Sequence, residues 1–150
     1  MSLRVLLLCL LLLQIAWPQA RLDWSIPLAV DGIRLGDSKQ QVFKSLGAPR
    51  ENSRGQLEVW KYKDLEVTFR DGSVCRLYGS ALQQNNKILI RVGELAAVVR
   101  GRLGEPEDND RLGIQRHPEV DVMMYQSEST SVGVFSRAGR VSLVGLSLRS

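Results

Sequence analysis

Residues 36–49 read GDSKQQVFKSLGAP, and residues 93–106 read GELAAVVRGRLGEP. Laid over one another, Gly36 meets Gly93, Val42 meets Val99, Leu46 meets Leu103, Gly47 meets Gly104 and Pro49 meets Pro106, all at an offset of 57. Self-similarity of this kind is sought first, because a repeated unit sets the architecture. Downstream, Val59 and Tyr62 match Val122 and Tyr125. Phe69, Gly72 and Val74 match Phe135, Gly139 and Val141, with the extra residues of the second copy placed in loops. The chain is read as a leader, residues 1–20, followed by two copies, 21–82 and 83–150.

Both copies carry the same signals. A short apolar segment (Ile33 and Leu35; Ile88, Ile90 and Val92) ends at a glycine. A helix follows, capped in the first copy by Asp37 or Ser38, whose side-chain oxygen can accept from the free amides of the first turn. Val42, Phe43 and Leu46 form its apolar face, as Leu95, Val98, Val99 and Leu103 do in the second. Gly47 and Pro49, or Gly104 and Pro106, stop the helix. Leu65, Val67 and Phe69 then alternate with Glu66, Thr68 and Arg70, a half-buried strand. Asp71-Gly72 is a hairpin turn, and Ser73 to Tyr78 returns. Leu57–Tyr62 precedes them as a further strand. Val120–Gln126, Ser131–Ser136 and Val141–Leu148 repeat the pattern, with Arg137-Ala138-Gly139 as the turn. The predicted fold is α+β: two tandem units, each a helix on an antiparallel three-stranded meander.

Arg4 precedes an apolar run from Val5 to Leu13, and Trp17-Pro18-Gln19-Ala20 follows, the layout of a secretory signal peptide. The run is shorter than the ~20 residues of a membrane span. Cys9 follows Leu8, where bacterial lipid attachment calls for a small residue. The mature chain is therefore expected in a periplasm or outside the cell, without a stable membrane span. It holds one cysteine, Cys75, so no intramolecular disulfide supports it. Twenty Lys and Arg against 16 Asp and Glu leave a small, dispersed positive charge. No basic cluster with interleaved aromatics occurs, which argues against nucleic acid.

The motifs resemble the SmpA/OmlA (BamE-like) domain family: Gly36, Val42, Leu46-Gly47-Ala48-Pro49, Trp60-Lys61-Tyr62, Phe69 and Gly72-Ser73-Val74. The second copy keeps Leu103-Gly104-Glu105-Pro106, Tyr125, Phe135 and Gly139, with Met123 in place of the tryptophan. The tandem arrangement is similar to that of beta-lactamase inhibitory proteins. The resemblance implies non-enzymatic protein binding in the cell envelope, including outer-membrane protein assembly. The alternative it implies is inhibition of a secreted or periplasmic enzyme.

Nothing in the chain assembles catalytic chemistry. His117 is the single histidine and precedes Pro118 in a loop, short of a zinc ligand set. Cys75 lies in a strand and reads as an inert buried thiol. Glu105, Glu107, Asp108 and Asp110 lack EF-hand spacing. No nucleophile elbow or phosphate-cradling glycine loop occurs. No enzyme activity, metal or cofactor is expected; the expected partner is another protein. The residues singled out for binding it are Trp60, Tyr62, Arg70, Arg76, Tyr78, Met123 and Tyr125, placed together on an open sheet face if Val59 points to the core. A one-residue slip of register would instead put Trp60 and Tyr62 in the core.

Overall fold

The computed structural model describes residues 22–115 and 117–149. The leader reading therefore lies outside the described residues. The first half runs β1 (Leu28–Val30), β2 (Ile33–Arg34), α1 (Lys39–Leu46), β3 (Glu51–Arg54), β4 (Glu58–Lys61), β5 (Glu66–Arg70) and β6 (Ser73–Gly79). The second runs β7 (Ala81–Gln84), β8 (Lys87–Arg91), α2 (Ala96–Leu103), β9 (Asp121–Gln126), β10 (Thr130–Arg137) and β11 (Arg140–Leu148).

The protein is mostly β, and the α+β reading of two helix-on-meander units is corrected. The strands form two antiparallel sheets, and both sheets cross the midpoint of the chain. The large sheet has the order β3-β4-β5-β6-β11-β10-β9, and the small sheet β2-β1-β7-β8. At the junction β6 pairs with β11, with Tyr78 opposite Gly145 and Leu77 opposite Leu146. In the small sheet Ala29 of β1 stands opposite Gln83 of β7. An unpaired strand edge exposes a row of backbone donors and acceptors. Pairing across the midpoint satisfies those rows, and the two meanders fuse.

The helices are a minor layer. Each has eight residues, about two turns, and touches the sheet along one line. Val42 is buried in α1, and Val99 and Leu103 in α2. Phe43, Leu46, Leu95 and Val98, expected on buried faces, are exposed. Ser38 is the N-cap of α1: it accepts from the Gln41 amide while the Gln41 side chain accepts from the Ser38 amide, a capping box.

Residues aligned by sequence make the same hydrogen bonds in both halves. The Gly36 and Gly93 amides donate to Val74 O and Val141 O, each at 2.8 Å. The Arg34 and Arg91 amides donate to the carboxylates of Asp37 and Glu94 at 2.9 and 2.8 Å. The Tyr62 and Tyr125 hydroxyls donate to Gly47 O and Gly104 O, each at 3.1 Å.

The core lies between the sheets, around Phe69, Ile33, Leu77, Leu82, Ile90 and Leu146. Contact is closest at Gly79, where a Cβ would fall 2.6 Å from Val30 Cγ1 and 2.3 Å from Asp31 Oδ2. Asp31 accepts there from the Ser80 amide (2.8 Å) and hydroxyl (3.0 Å), tying the β1–β2 turn to the crossover. Among the described residues no helix is long and apolar enough to cross a membrane.

Candidate docking face

Side chains alternate between the two faces of a strand. On the inner face of the large sheet, Trp60 stands opposite Val67, and Tyr125 opposite Val132. Trp60, Met123 and Tyr125 are 8, 5 and 7% exposed and belong to the hydrophobic core. Trp60 meets Phe69 edge-on, centroids 4.8 Å apart, and its Nε1 donates to Glu58 Oε1 at 2.7 Å. Glu58 also accepts from Lys39 Nζ, linking β4 to α1. The Lys39 bond, followed by the Trp60 bond, holds the Glu58 carboxyl below its ordinary range. Tyr62 is half-buried on the same side, and burial raises its hydroxyl and that of Tyr125 above the ordinary tyrosine range.

Four of the expected binding residues, Trp60, Tyr62, Met123 and Tyr125, thus lie on the face that packs against the helices. The cause is register: Val59 faces outward with Thr68, one residue away from the expected phase. Arg70, Arg76 and Tyr78 lie on the reverse face. Arg70 and Arg76 are exposed, and Tyr78 is half-buried.

The reverse face is organised in rows of cross-strand partners. One row runs Tyr78 (β6), Gly145 (β11), Gly133 (β10), Met124 (β9). The next carries Leu143, Phe135 and Val122. A polar row, Arg76–Ser147–Ser131–Gln126, flanks them. The paired glycines let aromatic rings lie on the sheet. A Cβ on Gly145 would come within 2.9 Å of the Tyr78 ring, and one on Gly133 within 3.0 Å of Phe135. Tyr78 and Phe135 meet edge-on, centroids 6.2 Å apart. The result is an apolar strip across four strands with a polar flank.

No family model, curated protein or solved structure matches this chain.

Sequence reasoning missed Phe135 and Met124. Phe135 was aligned with Phe69, yet Phe69 pairs with Val74 and faces the core, whereas Phe135 pairs with Leu143 and faces outward. The residue equivalent to Phe69 is Ser136, paired with Val141. Counting back three residues from the turn glycines, Gly72 to Phe69 and Gly139 to Ser136, carries that register.

The other candidates for chemistry are dispersed. Cys75 is buried and free. His117 is exposed, and its Nδ1 accepts from the Glu119 amide at 3.2 Å. Among the described residues no three His, Cys, Asp or Glu side chains converge on one point that could hold a metal.

Proposed function

We propose that this chain is an exported, non-enzymatic protein-binding module of the SmpA/OmlA type that docks a partner on the reverse of its large sheet. The observation that carries the reading is the strip formed by Tyr78, Phe135 and Met124 over Gly145 and Gly133, with Arg76 in the adjoining row and Arg70 on the same face at the end of β5. Interfaces concentrate aromatic residues, methionine and arginine at an apolar centre and polar groups at the rim. Tyr and Arg are also the residues whose truncation most often costs binding energy. Two helices and a second sheet on the inner face support the reverse face from behind, so docking there needs little ordering of the protein. Assembly work in the cell envelope is the setting the family resemblance implies.

The test is affinity capture from an envelope extract with the tagged mature chain, followed by affinity measurement on the recovered partner. Tyr78→Ala and Arg76→Glu should each weaken binding by about tenfold or more, with thermal unfolding nearly unchanged. Binding that survives both substitutions excludes this face. Recovery of outer-membrane assembly components supports an assembly role. A soluble hydrolase whose activity falls on binding assigns the chain to the inhibitors.

A further inference from the structure

β6 leaves the large sheet at Gly79, and Ala81 begins β7 in the small sheet. Its neighbour β11 runs on past the departure. Val144 pairs with Gly79, while Leu143 and Ser142 have no residue of β6 beside them. The gap is a hollow of about 520 Å³ between β11 and the β4–β5 turn, residues 61–66. The turn is closed by the Tyr62 amide, which donates to Leu65 O at 2.8 Å. Val92, just after β8, also lines the hollow. It is held by its amide on Ser80 O, and its neighbour Gly93 by an amide on Val141 O, both at 2.8 Å. Both halves of the chain thus contribute to the walls, and backbone hydrogen bonds fix them.

The hollow is continuous with the docking face, because Tyr78 and Leu143 line it and also stand in the rows of that face. Leu65, which is buried, and Val92, which is 38% exposed, add apolar surface. Charge around it is balanced, Lys61 and Lys63 against Asp64 and Glu66. Lys61 stands opposite Glu66 on the β4–β5 ladder and pairs with Glu51 at 3.6 Å. A charged occupant gains little from such a rim, and an uncharged one meets no repulsion.

An aromatic ring matches these groups. It buries a large apolar area for few rotatable bonds, and it can meet Tyr78 edge-on, the geometry in which Tyr78 already meets Phe135 at 6.2 Å. Lysines at the rim can also lie over its face. Cavities of about 300–1,000 Å³ enclose most of a small ligand, so this one admits a ring with part of the chain that carries it. We infer that the hollow seats an uncharged aromatic side chain of the partner protein, the anchor at one end of the docking strip. The inference rests on the docking reading above and adds the residue type that the partner brings. Interface energy concentrates in such pocketed aromatic residues.

The probe is N-acetyl-tryptophan amide, with N-acetyl-alanine amide as the reference, added to the mature chain and followed by amide chemical shifts. The expected result is weak, saturable binding of the tryptophan amide alone, with shifts at Leu65, Gly79 and Leu143 and little change with salt. Val92→Trp, a change at a part-exposed site, fills the hollow with the chain's own ring and should abolish those shifts at unchanged thermal unfolding. Ser142→Trp, at an exposed site on the opposite wall, is the second filling variant. Each should also weaken binding of the captured partner about tenfold or more. The inference is overturned if the tryptophan amide does not saturate, if the two amides bind alike, or if both filled variants bind the partner as the wild type does. Loss of partner binding with Arg76→Glu but with neither filled variant keeps the docking face and removes the hollow from it. Loss with the filled variants but not with Arg76→Glu or Tyr78→Ala keeps the hollow and overturns the docking strip. Self-association of the free chain that Val92→Trp abolishes would overturn the inference, giving the hollow to a second copy.

Discussion

Trp60 concentrates the lesson at the scale of the residue. The local string Leu57-Glu58-Val59-Trp60-Lys61-Tyr62 has apolar side chains on both faces, so alternation alone does not choose a phase. The choice is made by Val67, a residue of the neighbouring strand, which brings Trp60 beneath α1. Trp60→Ala should therefore destabilise the fold by about 3–5 kcal/mol, read from the denaturant midpoint at unchanged slope. An effect below about 1 kcal/mol would place the indole outside the core. Its neighbour Glu58 carries a pH dependence. Its carboxyl is held below the ordinary value of 4.5 by Lys39 and Trp60, so the folded state binds its proton more weakly than the unfolded state. That stabilisation is complete above about pH 4.5 and is lost as the pH falls through the folded value. The stability difference between the wild type and Glu58→Gln should be constant near neutrality and shrink below pH 4.5, as followed by unfolding at stepped pH.

Among the elements, those with local signals were legible and those held by distant partners were not. The Asp71-Gly72 turn has φ of 52° and 82°, the left-handed pair that a two-residue hairpin demands, and β5 and β6 follow from it. The helix stops at Gly47 and Gly104 were equally local. By contrast β3 reads Glu-Asn-Ser-Arg, with no apolar residue to mark it, and forms because its backbone pairs with β4. β1 and β7 exist as a pair joined from opposite halves, at a sequence distance that no periodicity reports. The placement of Arg70, Arg76 and Tyr78 on the reverse face was legible in the alternation of β5 and β6. Phe135 was misplaced because it was aligned with Phe69 instead of Thr68. Both hairpins carry the same bulge, between Thr68 and Phe69 and between Phe135 and Ser136, so only counting from the turn glycines gives the register. The element contact that tolerates least change is β6 against the small sheet. Gly79→Ala would push its methyl into Val30 and the Asp31 carboxylate. The expected cost is about 1–3 kcal/mol, measured by thermal or denaturant unfolding. Gly101→Ala, with open space around it, should cost nothing and serves as the control.

Over the whole molecule, the two sheets make one cooperative body out of two similar halves. Residues 22–80 alone would leave β6 without β11 and β1 without β7, one open edge on each, and a chain that short buries too little surface to offset the loss. Each half expressed alone should therefore lack a cooperative transition in circular dichroism. The intact chain should unfold in one step with coincident probes. Two separate transitions would instead identify independent domains. The outer boundary of the large sheet also has a consequence for solubility. Its β9 side is engaged by Glu107 through the bridge to Met124, while its β3 side is open, with every side chain from Glu51 to Arg54 in water. Polar and charged side chains on such a margin keep neighbouring molecules from extending the hydrogen-bond ladder. Replacing Asn52 and Ser53 with valine would leave the monomer's packing untouched and remove that protection. The outcome would be fibrils seeded edge to edge, visible as thioflavin-positive turbidity while the core remains native.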